Sequence, residues 1–140
     1  MQLVVDAILS TAEPRIAVLG TGGIGKTSLA QAVLHHPAIV EKYCQGATGI
    51  PQISFIACER SLSMKDMLVL IALCLNLSIQ GVDPKLLILH ELSRRARSTG
   101  GYLLVLDNLE TCWEVGAERP TVEGFLAQLG DIKGLGLIVC

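Results

Sequence analysis

Charge is scarce in this sequence. Charged residues fill 17% of its 140 positions, against about a quarter in an ordinary globular chain. The 11 basic and 13 acidic side chains leave a formal net charge of −2, so the chain as a whole offers no basic field for nucleic acid. Long apolar runs are lacking too. The longest, Met67 to Leu75, is closed by Asn76. It is far short of the ~20 residues a membrane helix needs and reads as a buried helix. No basic segment precedes Leu3–Val5, and Asp6 follows directly, which argues against a signal peptide. The cysteines show no pairing pattern. Cys44, Cys58, Cys74, Cys112 and Cys140 are odd in number, widely spaced and without CxxC, which argues against a disulfide framework or zinc knuckle and fits the reduced thiols of a cytoplasmic protein. No repeat, low-complexity tract or linker divides the chain.

What is present is aliphatic. At 51% hydrophobic residues the chain cannot be a disordered tail, and its length corresponds to one domain. Short apolar runs alternate with longer helical patterns, the signature of βα units and a parallel sheet. Arg15–Leu19 reads as a strand opened by Pro14 and closed by Gly20. Thr27–His36 reads as a helix with Leu29, Ala30, Val33 and Leu34 on one face, stopped by Pro37. Ile53–Ala57 is a second strand, and Leu62–Leu77 an apolar helix. Asp83-Pro84 opens another helix as N-cap and first helical residue, running to about Ser98, where Gly100-Gly101 ends it. Tyr102–Leu106 is a third strand. Thr121–Leu129 is a helix weakened by Gly124. Leu135–Cys140 is a fourth strand. Because that apolar run reaches the last residue, the chain is expected to be a piece of a longer protein.

Two segments carry chemistry. Gly20-Thr21-Gly22-Gly23-Ile24-Gly25-Lys26-Thr27 fits G-x-x-x-x-G-K-[ST]. Glycines let the backbone wrap a phosphate closely. Its N–H groups and the N-terminus of the next helix form an anion nest. Lys26 supplies a cation for the β- and γ-phosphates, and the Thr27 hydroxyl is a hard oxygen ligand for Mg²⁺. The apolar run Tyr102–Leu106 ends in Asp107, the carboxylate such a loop requires at a neighbouring strand tip to hold Mg²⁺ through water. Asn108 follows, where a second acid often stands. Glu110 is the nearest carboxylate that could orient water at a γ-phosphate; capping or pairing in the following turn is an equal alternative.

Elsewhere the residues read more plainly. His35 and His36 compensate a helix dipole. Arg94, Arg95 and Arg97 form a solvated face at another helix end. Trp113 either packs over the turn after the acidic strand or anchors another domain.

The segments Ile16–Ala30 and Leu103–Thr111 together resemble the nucleotide-binding domain of STAND-class P-loop ATPases, and within it the NB-ARC-like proteins of mushroom-forming fungi. Val33-Leu34-His35-His36-Pro37, Ala57-Cys58-Glu59, Trp113 and Leu137-Ile138-Val139 extend the likeness over most of the chain. The resemblance implies a three-layer α/β/α P-loop fold over residues 1–140. One strand is expected between the loop strand and the acidic strand, and the domain is expected to be incomplete at its C-terminal end and at its N-terminal end. It implies ATP or ADP with Mg²⁺ as ligands, held by Gly20 to Thr27 and Ser28, with Thr27 and Asp107 at the metal and Lys26 and Glu110 in any catalysis. It further implies a cytoplasmic signalling switch that self-associates or works through C-terminal repeat domains, with no nucleic-acid or membrane partner. In that class the fourth strand leads to Thr-x-Arg, and Cys140 stands at the threonine position. A small P-loop kinase and a non-hydrolysing nucleotide-binding remnant are the competing readings. The kinase would need lid arginines, and Arg60, Arg94, Arg95, Arg97 and Arg119 stand in no lid motif.

Overall fold

A computed structural model describes residues 1–44, 51–61, 63–98, 100–114 and 118–140. The elements run α1 (Gln2–Leu9), β1 (Arg15–Ala17), α2 (Lys26–Leu34), α3 (Pro37–Cys44), β2 (Ile53–Ala57), α4 (Met64–Cys74), α5 (Pro84–Ser98), β3 (Tyr102–Asp107), α6 (Glu110–Trp113), α7 (Arg119–Gly130) and β4 (Leu135–Val139). The four strands form one sheet in the order β1-β4-β3-β2, with every pair parallel. One strand, β4, therefore separates the loop strand from the acidic strand, the spacing implied by the resemblance.

The sheet is covered on both faces, as parallel sheets are, and the alternation of β3 shows how. All six β3 residues are buried. Tyr102, Leu104 and Leu106 face a core built with α4, α5, α6 and α7. Leu103 and Val105 face a second core built with α1, α2 and α3. The period of two sends alternate side chains to opposite faces, giving a three-layer α/β/α arrangement. Chain direction explains the division. From β1 the chain crosses β4 and β3 to reach β2, then returns stepwise through β3 to β4. Right-handed crossovers running in opposite directions put their helices on opposite faces. The loops after β1 and β3 therefore leave toward opposite faces with β4 between them, and ligands in such sheets bind beyond the carboxyl ends of the strands at such a point.

Most element ends follow local chemistry. Ser63 caps α4, its hydroxyl accepting from Asp66 N at 3.1 Å. Leu62, where the helical pattern begins in the sequence, lies outside the described residues. Asp83 Oδ1 accepts from Lys85 N at 2.9 Å and Leu86 N at 3.4 Å, so it caps α5 as its position before Pro84 indicates.

Several expectations need correction. Pro37 ends no more than the gap after α2: it opens α3, where its fixed φ and missing N–H cost nothing at the first helical position. The helix before it stops at Leu34, and His36 Nδ1 accepts from Ala38 N at 3.3 Å. His36 thus serves the start of α3 rather than the dipole of α2. The first strand stops at Ala17, although Val18 N still donates to Val139 O at 2.8 Å. Helix α1 is an element the sequence pattern does not mark; it buries Val5 and Ile8. Nor is the arginine cluster on α5 wholly solvated. Arg95 donates to Glu91 at 2.7 Å, Leu75 O at 2.8 Å and the Tyr102 hydroxyl at 3.2 Å, tying α5 to α4 and β3.

Candidate functional site

The carboxyl ends of β1, β4 and β3 are level: Ala17 stands opposite Val139, and Val139 opposite Leu106. This register brings the glycine-rich loop and Asp107 to one rim. Residues 20–25 are exposed there, and Gly25 has φ 90° at the N-cap of α2, with no side chain capping the helix. A Cβ residue would be strained in that left-handed conformation. The first N–H groups of α2, orphaned as at any helix start, are thus left to whatever lies in front of the loop. Ile24 is 60% exposed and Ser28 is exposed on the first turn of α2.

Lys26 is buried at the loop–helix junction. Its ammonium donates to Gly20 O at 2.8 Å and Thr21 O at 3.4 Å, so the loop closes over its own lysine. It also pairs with Glu110 Oε2 at 3.4 Å. Thr27 Oγ1 donates to Asp107 Oδ2 at 2.7 Å. Asp107 is 1% exposed, and Asn108 Nδ2 lies 3.4 Å from the same Oδ2. Its other oxygen, Oδ1, is buried without a hydrogen-bond partner. An orphaned carboxylate oxygen costs free energy unless something satisfies it. A hydroxyl and a carboxylate are hard oxygen donors of the kind Mg²⁺ accepts, the rest of its shell coming from water and phosphate. Among the described residues no group of three or more His, Cys, Asp or Glu could hold a metal unaided. Such a pair therefore suits an ion brought with a ligand.

Beside the loop lies an apolar cleft of about 360 Å³, lined by Leu19 and Gly20 on one side and Glu110, Trp113, Leu126 and Cys140 on the other. Nothing in the sequence pattern announced it, because its walls come from four separate elements. Trp113 packs against the core on the α6–α7 side, and the Arg119 guanidinium sits 4.9 Å from its ring centre. Burial, reinforced by the nearby Asp107 charge, pushes the Cys140 thiol up to about 11. All five cysteines are free.

Every loop residue singled out in the sequence, with Asp107 and Glu110, is therefore at one place. The two histidines and the arginine cluster are not part of it. Asn108 has φ 55°, a left-handed turn that Asn tolerates better than most residues; it redirects the chain from β3 into α6 and so carries Glu110 toward Lys26. No protein-family model matches this chain, and no curated protein matches it. Among the described residues no helix is long and apolar enough to cross a membrane.

Proposed function

We propose that this chain is the ADP- and ATP-binding module of a STAND-type signalling ATPase, an NB-ARC-like P-loop domain working in the cytoplasm. The observation that carries the reading is the Thr27–Asp107 contact at 2.7 Å, with the second carboxylate oxygen buried and unpartnered. A loop hydroxyl and a strand-tip carboxylate meeting across eighty residues have no packing reason to converge on an open rim. They have a clear one if Mg²⁺ and phosphate are taken there.

In this reading the loop N–H groups from Gly20 to Thr27, with Ser28 on the same first turn of α2, receive phosphate. Lys26 neutralises it, and Thr27 and Asp107 hold Mg²⁺, which supplies charge compensation to the phosphates. Glu110 would accept a proton from water. Four of the six arginines argue against a small-molecule kinase. Arg15 donates to Gly130 O at 2.6 Å and to Leu135 O, Arg94 and Arg95 pair with Glu91, and Arg119 pairs with Glu123. None of these four is directed at the loop. Self-association, or work through repeat domains in a longer protein, follows from the resemblance alone.

Calorimetric titration with ADP and Mg²⁺ tests the reading. Lys26→Ala removes a charged hydrogen-bonding group worth roughly 1.5–3 kcal/mol, about 10- to 150-fold in affinity. Equal affinities of wild type and variant would refute it.

A further inference from the structure

We infer that Glu110 is an internal anion that competes with phosphate for Lys26, and that it thereby makes the site selective for metal-complexed over metal-free nucleotide. The inference rests on the nucleotide-binding reading and concerns the regulation of that same site.

The ammonium of Lys26 has three protons to donate and three partners: two loop carbonyls, Gly20 O and Thr21 O, and the Glu110 carboxylate. The carbonyls belong to the loop backbone. Glu110 is the exchangeable partner. Its side chain is 44% exposed while that of Lys26 is 7% exposed, it stands on the four-residue helix α6, and among the described residues Lys26 is its only ion-pair partner. A partly exposed ion pair is worth little, so an incoming phosphate can take the ammonium while the carboxylate turns toward water. The displaced carboxylate remains beside the phosphate, however, and two anions in a partly desolvated cleft repel. A divalent cation at Thr27 and Asp107 lowers the net charge that Glu110 faces. Metal-free nucleotide bears the repulsion in full. Glu110 therefore penalises the two ligands unequally.

Glu114 provides the control. It lines the same cleft but makes no ion pair with Lys26, so Glu114→Gln removes a charge from the cleft without freeing the ammonium. The experiment is titration of the full chain with ADP, with and without Mg²⁺, for wild type, E110Q, E114Q and K26A. Thermal melts confirm folding, and Glu110→Ala serves as a second variant. Expected is a roughly three- to tenfold gain in affinity for metal-free ADP in E110Q, a smaller gain for Mg·ADP, and less than a twofold change for either ligand in E114Q. Unchanged or weaker binding of metal-free ADP by E110Q overturns the inference, as does an equal gain in E114Q. If K26A loses ADP while E110Q matches wild type, the inference fails and the nucleotide reading stands. If no form binds ADP under either condition, both fail.

Discussion

The Thr27 hydroxyl and the Asp107 carboxylate meet at 2.7 Å across the rim of the sheet, joining the first turn of α2 to the tip of β3. If both are metal ligands, their loss should be felt through the metal. Asp107→Asn is expected to weaken Mg·ADP binding by roughly ten- to a hundredfold, the range for a charged hydrogen-bonding group. Metal-free ADP should bind it about as well as wild type does. Titration of the variant with and without Mg²⁺ reads the difference directly. A parallel loss of both affinities would make Asp107 a support for the turn at Asn108 and no metal ligand.

Two glycines should respond in opposite directions when changed to alanine. Gly134 has φ 79°, and a Cβ there would lie 2.6 Å from Ala96 O. That contact is with backbone and cannot swing away, so Gly134→Ala combines left-handed strain with a clash. It is expected to destabilise by about 2 kcal/mol or more. Gly124 sits inside α7, where a Cβ would meet nothing within 4 Å. Gly124→Ala should stabilise by about 0.5–1 kcal/mol through helix propensity alone. Urea denaturation of both variants measures the two signs.

Acid stability should report on Glu91. The hydrogen bond from Arg94, with Arg95 adding to it, holds the Glu91 carboxyl down at about 2 against the opposing effect of burial. The ordinary value is 4.5, so between these limits the unfolded chain binds the extra proton and stability rises with pH. The contribution is full above about pH 4.5 and disappears as pH falls toward 2. Glu91→Gln lacks it throughout. The melting-temperature gap between wild type and variant is therefore expected to be widest near neutrality and to close across that acidic window. A constant gap would assign the loss to packing between α4 and α5.

The sheet and the site differ in how much of each could be read from the sequence. Strand Ile53–Ala57 is observed with the bounds its pattern indicates, because a buried parallel strand is a short apolar run and little else. The loop was legible because its motif is local: Gly20 to Thr27 spans eight positions. Helix α3 was not. Pro37 both forbids a helix behind it and permits one ahead of it, and only the burial of Ile39 and Tyr43 decides. Helix α1 lacks a side-chain cap altogether, so nothing in its sequence marks a start. The Lys26–Glu110 pair was also hidden. It depends on the left-handed turn at Asn108, and a residue whose type merely tolerates such a turn does not advertise it.

Turnover by this chain is expected to be slow. Phosphoryl transfer relies on charges placed around the γ-phosphate, and one arginine so placed can be worth 10³–10⁵ in rate. The side chains of Arg15, Arg94, Arg95 and Arg119 are all committed away from the loop, so none of these four would stabilise the developing charge. Glu110 is the nearest carboxylate to the loop lysine, at 3.4 Å, and Asn108 cannot act as a base. What turnover exists should therefore depend on Glu110. Single-turnover measurement with ATP and Mg²⁺ should show slow hydrolysis by wild type and roughly 10²-fold slower hydrolysis by Glu110→Gln, the scale of a lost general base. The same substitution is expected to leave Mg·ADP bound as tightly or more tightly. Opposite effects on binding and turnover are the mark of one carboxylate acting in both. If E110Q hydrolyses ATP at the wild-type rate, Glu110 only competes for the lysine, and water is activated elsewhere on the rim.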